Sequence, residues 1–260
     1  MKTPQSFDIL GNIALVKFPY DFKVKDKKRF AEKLMKKNKS IKTVLEKTGK
    51  IKGRLRKPET KWIAGEKSKE VLYHENGCVF RFDIDKTYFS PRLSNERKEI
   101  AERIKKGESV LVMFAGVAPF SIVIAKNSKA GKVYSNEINR EANKYAMLNI
   151  ELNNVKNRVE LVGGDVKRVA EALGKRKFDV IVMPRPQLKD SFLKEAFSLS
   201  KKGTRIFYYD FCGVDEIDLV VDKIKDEVKK CGKKIKILKI KKAGEIAPYR
   251  IRLRVDFMIL

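Results

Sequence analysis

VLVMFAGVAPFSIVIAKNSKAGKVYSNEIN, residues 110–139, decides the fold. An apolar run ends in a short turn, a second segment opens at Pro119, and another run with strand character closes at Glu137. This is the strand, turn, helix, strand pattern of a nucleotide-binding unit, in which the ligand lies at the N-terminus of the helix. The turn, however, keeps Gly116 alone. Ala118 fills the place of a second glycine, and Pro119 begins the helix, where its missing N–H costs nothing. A pyrophosphate needs glycines for close backbone approach, so a dinucleotide, and with it a nicotinamide oxidoreductase, is disfavoured. The uncharged run from Val110 to Ala125 is shorter than the roughly 20 residues of a membrane helix, and it contains Gly116 and Pro119, so it reads as a buried strand and turn.

A ligand without phosphates suits such a turn. S-adenosylmethionine needs a tight bend under its methionine part and an acid beyond the second strand for its ribose hydroxyls. Glu137 follows Gly116 by 21 residues, the spacing of a ribose-binding carboxylate. Asp165, in GGDVKR after the third strand, offers an acceptor to the adenine amino group. Plainer readings stand beside these: Glu137 as an exposed loop acid, Asp165 as a helix cap.

Working outward, apolar strands are expected near 109–114, 131–136, 158–162, 178–183 and 203–210. They alternate with helices near 119–127, 140–154, 166–173, 188–200 and 214–231. Such alternation gives a mostly parallel sheet with helices on both faces. The runs 234–241 and 249–259 are joined by a short turn and form an antiparallel ending. The expected fold class is therefore α/β, with the mostly parallel seven-stranded sheet of the Rossmann-like class I methyltransferases.

Before this lies a different pattern: a strand at 12–19, a basic helix at 26–38, a short element of ambiguous type at 41–48, and an antiparallel unit over 60–89 around Asn76-Gly77. Ser94 to Lys106 reads as a helix stopped by Gly107. Two domains are expected: a small N-terminal α+β domain, 1–93, and the S-adenosylmethionine-binding domain, 94–260.

Sixty Lys and Arg against 33 Asp and Glu give a formal charge of +27. A field of that size attracts polyanions, nucleic acid first, although a lysine-biased proteome would leave many of these charges merely solvating. Three cysteines, Cys78, Cys212 and Cys231, lack metal-ligand spacing and a closed pairing, so reduced thiols and no metal site are expected. The N-terminus lacks the pattern of a secretory signal, and a cytoplasmic protein without membrane attachment is expected. His74 has no catalytic constellation and reads as a turn or surface residue.

FAGVAPFSI, SPRLSNER, GRLR, VIVMPRP and the ending YRIRLRVDF, in this order, make the chain resemble the archaeal and eukaryotic tRNA (guanine-37 N1) methyltransferases over nearly its whole length. The resemblance implies methyl transfer from S-adenosylmethionine to N1 of the guanine beside the anticodon. It implies Glu96 as general base and Arg56 on the guanine O6. Phe114, Gly116, Glu137, Asp165 and Pro186 match the cofactor pocket; Tyr88, Arg92, Pro184 and Arg185 match the substrate side. The implied partner is the anticodon stem-loop region of tRNA, bound by a monomer of the compact archaeal form without the N-terminal elbow-binding domain. Phosphate contacts are expected from the helix at 26–38 and from 50–57. From residues alone, Glu96 on its charged helix reads as a surface ion-pairing residue with Lys98 or Arg103, and phosphate contact is the plain alternative for Arg56.

Two departures stand out. Val112 replaces a common aspartate, and Met183-Pro184-Arg185-Pro186 replaces a common Asn-x-Pro, as in an archaeal branch of the family. Alternatives are C7 methylation of a tricyclic wyosine precursor at the same nucleotide, aminocarboxypropyl transfer in the same pathway, and a non-catalytic RNA-binding relative.

Overall fold

The structure, a computed structural model, describes residues 4, 7–49, 59–173 and 175–260. It divides into two compact units, Met1–Pro91 and Arg92–Leu260.

In the first unit, β1 (Phe7–Leu10) and β2 (Ile13–Val16) pair antiparallel. Gly11 turns between them with φ +54, and a Cβ there would lie 1.8 Å from the Leu72 carbonyl oxygen, so only glycine fits. Helix α1 (Val24–Lys37) crosses to β3 (Thr43–Lys47), which lies parallel to β2, and β4 (Thr60–Gly65) closes the sheet antiparallel to β3. Ala31 is buried with Ala14, Val16, Phe18, Ile41, Val44 and Ile63, and Phe30, Leu34 and Met35 pack against this core. Lys25, Lys28, Lys33, Lys36 and Lys37 of α1 face outward, as an amphipathic helix demands, whereas Lys27 turns to Glu46. The ambiguous element at 41–48 is thus a strand, made so by pairing on both sides.

The antiparallel unit expected over 60–89 is split. β4 belongs to the four-stranded sheet, while β5 (Glu70–Glu75) and β6 (Cys78–Asp83) form a separate hairpin. Asn76 (φ 50) and Gly77 (φ 69) both take the positive φ that its two-residue turn requires. Local alternation marks strands but does not choose their partners, so β4 could pair away from its neighbour in sequence.

A 3-10 turn, Pro91–Leu93, spans the boundary, and the second unit continues with α2 (Ser94–Glu102). Then follow β7 (Val110–Val112), α3 (Pro119–Asn127), β8 (Val133–Glu137), α4 (Arg140–Leu152), β9 (Val159–Gly163), α5 (Val166–Ala172), β10 (Phe178–Met183), α6 (Leu193–Ser198), β11 (Ser200–Gly213), α7 (Ile217–Lys230), β12 (Ile235–Ala247) and β13 (Arg250–Ile259). The seven strands stand in the order β12-β13-β11-β10-β7-β8-β9. β9, β8, β7, β10 and β11 run parallel, and β13 is antiparallel to both β11 and β12. This is the α/β methyltransferase sheet, with the order reversing beside β7, where ligands bind in doubly wound sheets.

The helix expected over 188–200 shrinks to Leu193–Ser198. Phe192, its N-cap, has φ 57, and the stretch before it is shaped by Pro184 and Pro186, which lack the N–H a helix needs. Among the described residues no helix is long and apolar enough to cross a membrane, and no group of His, Cys, Asp and Glu could hold a metal ion.

Candidate active site

At the carboxyl end of β7 the chain takes φ values of +58 at Phe114, +58 at Gly116 and +65 at Ala118. At Phe114 and Ala118 this glycine-like conformation is held by L-residues, at about 1–2 kcal/mol each. Surrounding contacts sustain it. The Phe114 ring meets Phe192 edge-on at 4.9 Å. Gly116 donates its N–H to Glu137 Oε2 at 2.7 Å. The Asn149 side chain donates to the Val117 carbonyl at 3.2 Å. Strain of this kind concentrates where a ligand is gripped.

Glu137, at the end of β8, accepts with both oxygens: Oε2 from Gly116 N–H and Oε1 from Asn139 N–H, each at 2.7 Å. Burial pushes its carboxyl above the ordinary value of 4.5, against the pull of these backbone donors. Each oxygen has a second lone pair, the capacity a pair of ribose hydroxyls would use. It is thus no exposed loop acid. Asn136 ties the neighbouring loop down, its amide donating to the carbonyls of Val162 (2.8 Å) and Gly164 (3.0 Å). Asp165 follows as the N-cap of α5, accepting from Lys167 N–H at 3.1 Å.

Beyond β10, Arg185 is 4% exposed. Its Nη1 donates to the carbonyls of Pro186 (3.1 Å), Leu188 (3.0 Å) and Asp190 (3.1 Å), and its Nη2 to Asp210 Oδ1 at 2.5 Å. Tyr208 lies under the guanidinium and donates to the other oxygen of Asp210 at 2.9 Å. A side chain with five donors thus serves a loop whose prolines have none of their own. The part of this loop left to meet a ligand is its outer surface, including the half-buried Pro184 and Pro186.

Glu96, in the first turn of α2, is 4% exposed. Its Oε2 accepts from the Tyr209 hydroxyl at 2.9 Å and from Arg254 Nη1 at 2.5 Å, while Oε1 meets Lys241 Nζ at 2.8 Å. The surface pairing with Lys98 or Arg103 does not form: Arg103 goes to Asp256 instead. Phe120, at the start of α3, touches Tyr209 with ring centroids 6.1 Å apart. Glu96 is therefore two side chains away from the turn after β7.

Arg92 is exposed in the 3-10 turn of this unit. Tyr88 is half-buried in the first unit, after β6, where Phe89 stacks on Phe82 at 4.7 Å. Arg56 and the segment 50–57 lie outside the described residues.

Sequence reasoning missed Phe192, Asn136, Tyr209 and Arg254. The last two had a signal. In RIRLRVDF the charged residues Arg250, Arg252, Arg254 and Asp256 alternate with apolar ones. A wholly charged face on a strand paired on both sides must be neutralised by something packed over it.

A family model described as the TRM5/TYW2 methyltransferase domain matches residues 71–238, and one described as the TYW2 N-terminal domain matches residues 1–68. The chain is 37% identical over 257 residues to the tRNA (guanine(37)-N(1))-methyltransferase Trm5b of Pyrococcus abyssi, covering 98% of this chain and 75% of that protein. The crystal structure of that protein superposes with a TM-score of 0.87 at 36% identity. A Nanoarchaeum equitans protein, tRNA (guanine(37)-N(1))/4-demethylwyosine(37)-methyltransferase Taw22, is 32% identical over 304 residues, covering 98% of this chain and all (100%) of the relative. The structure of Methanocaldococcus jannaschii Trm5 in complex with adenosine matches with a TM-score of 0.82 at 30% identity, over 98% of this chain and 74% of that one. With a domain match over most of its length and relatives of this identity and coverage, the chain belongs to the TRM5/TYW2 methyltransferase family.

Proposed function

We propose that this protein is an S-adenosylmethionine-dependent methyltransferase acting on N1 of guanine 37 in tRNA. The observation that carries the reading is Glu96: a buried carboxylate, linked through Tyr209 and Phe120 to the strained turn after β7, in a chain whose relatives act on this nucleotide. The residues at the strand ends fit the cofactor. Glu137 has acceptor capacity for the ribose, Asp165 lies at the next strand end for the adenine, and Phe114, Gly116 and Pro186 are assigned to the rest of the cofactor contact.

S-adenosylmethionine supplies an electrophilic methyl group on a sulfonium. The chain's residues prepare the nucleophile. N1 of guanine carries a proton and attacks poorly; Glu96 takes that proton, and the N1 electron pair forms the bond to the methyl carbon as the carbon–sulfur pair returns to sulfur. Charge that develops on O6 is met by Arg56. Tyr88, Arg92, Pro184 and the loop that Arg185 braces contact the nucleotide, the 1–93 unit supplies RNA-binding surface, and the protein works as a cytoplasmic monomer on the anticodon stem-loop region.

Incubation with transcripts bearing G or A at position 37, using cofactor labelled in the methyl or the carboxypropyl part, tests this. Methyl label on the G-bearing tRNA alone is expected; carboxypropyl label overturns the reading. Glu96→Gln is expected to lower the single-turnover rate about 10²–10⁴-fold while tRNA affinity stays within a factor of about two. Equal losses in rate and affinity contradict a base. A second reading, methylation of a tricyclic guanine derivative at the same nucleotide, is favoured by the N-terminal match at residues 1–68 and by the full-length match to the Nanoarchaeum equitans protein. Assay on tRNA carrying that precursor separates one activity from two.

A further inference from the structure

Glu96 is met by a row rather than by scattered contacts. In the sheet register Arg254 of β13 stands opposite Tyr209 of β11 on one side and Lys241 of β12 on the other. Residues directly opposite across antiparallel pairs share a face. All three side chains of this row end on the one carboxylate, Tyr209 and Arg254 on Oε2 and Lys241 on Oε1.

The row is itself fixed. Arg254 is wholly buried and spends its other donors on Glu99 Oε1 at 2.6 Å and Asp256 Oδ1 at 2.8 Å. Lys241 also binds Glu99, and Arg103 binds Asp256. From α3, packed on α2, the segment Pro119–Ala125 brings only uncharged side chains.

Resting on the assignment of Glu96 as the base, we propose that Tyr209, Arg254 and Lys241 are positioning residues for it. Two donors from the sheet clamp Oε2, which turns Oε1 into the oxygen that receives the guanine proton. Lys241, whose side chain is 32% exposed, marks the solvent side through which that proton then passes to water. The proton moves from N1 to Oε1 and on to bulk solvent, so the carboxylate is regenerated for the next turnover. Burial, with the Glu96 charge second, pushes the Tyr209 phenol well above its ordinary value, so it remains a donor at every working pH. Burial opposes the charge on Lys241, but its hydrogen bonds to Glu96 and Glu99 outweigh this and raise the ammonium.

The test is the pH profile of single-turnover methylation on a G37 transcript. Removing a donor from an ionised carboxylate raises its pKa. Tyr209→Phe and Lys241→Met are therefore each expected to move the acid limb upward by about one pH unit, the equivalent of one charge-assisted hydrogen bond. Affinities for tRNA and cofactor should stay within about twofold, since neither residue is assigned to bind them. Lys241→Arg should restore the wild-type limb. Thermal unfolding monitors folding; Lys241 is partly exposed, so its variants decide the matter even where Tyr209→Phe unfolds. Limbs that stay where they are in folded variants overturn the inference while leaving the base assignment intact. An active Glu96→Gln enzyme removes the base assignment itself.

Discussion

Glu137 serves two partners with one carboxylate. It ties the turn after β7 to the start of α4 through two backbone N–H groups, which leaves its second lone pairs for a ligand. Glutamine is the same size but has one acceptor oxygen, and its amide would face an N–H. Glu137→Gln is therefore expected to weaken S-adenosylmethionine about 10- to 100-fold, one hydrogen bond to a charged group at about 1.5–3 kcal/mol. Calorimetric titration reads this, and an unchanged affinity contradicts the ribose contact. The pH dependence has a definite sign. Burial raises this carboxyl above 4.5 in the folded protein, and the ionised form accepts from the ribose. Cofactor affinity should then begin to fall, on acidification, at a pH above the ordinary glutamate value.

At the scale of elements, α2 and β13 are joined by a buried ion network in place of an apolar seam. Arg254 alone neutralises parts of Glu96, Glu99 and Asp256. Arg254→Met fills much of the volume but leaves buried carboxylates short of a partner, and should cost about 3–5 kcal/mol in urea unfolding at neutral pH. A loss under about 1 kcal/mol contradicts the network's structural weight. The hydrogen bond from Arg254 holds the Glu99 carboxyl well below its ordinary 4.5, with Lys241 assisting against the cost of burial. A depressed carboxyl stabilises the fold fully above the unfolded value and loses that contribution as pH falls through 4.5 toward the folded value. Wild-type stability should drop through this window, and Glu99→Gln should flatten the drop.

At the scale of the whole molecule, a formal charge of +27 sets how any RNA is held. Lys25, Lys28, Arg29, Lys33 and Lys36 are exposed along α1, whereas Lys27 is engaged with Glu46. If four such side chains meet phosphates, affinity for a tRNA anticodon stem-loop falls about a hundredfold between 50 and 200 mM salt, by counterion release. Replacing Lys28, Arg29 and Lys36 by alanine should flatten that dependence by about three contacts without altering the methylation rate at saturating RNA. An unchanged slope removes α1 from the interface.

The succession of strands and helices, the antiparallel ending and the Asn76-Gly77 turn were legible in the chain because each depends on local periodicity or on a backbone conformation that few residues accept. Glu137 was legible from its 21-residue spacing after Gly116, and Asp165 from its place after the third strand, since doubly wound sheets put their ligand groups beyond the strand ends. What the chain could not announce depends on which strands become neighbours. β4 leaves β5 for β3, Arg185 turns into its own loop, and Tyr209, Arg254 and Lys241, distant in sequence, align across three strands over a single glutamate. Burial and cross-strand register create that environment. They are properties of the packed sheet, and no stretch of sequence carries them by itself.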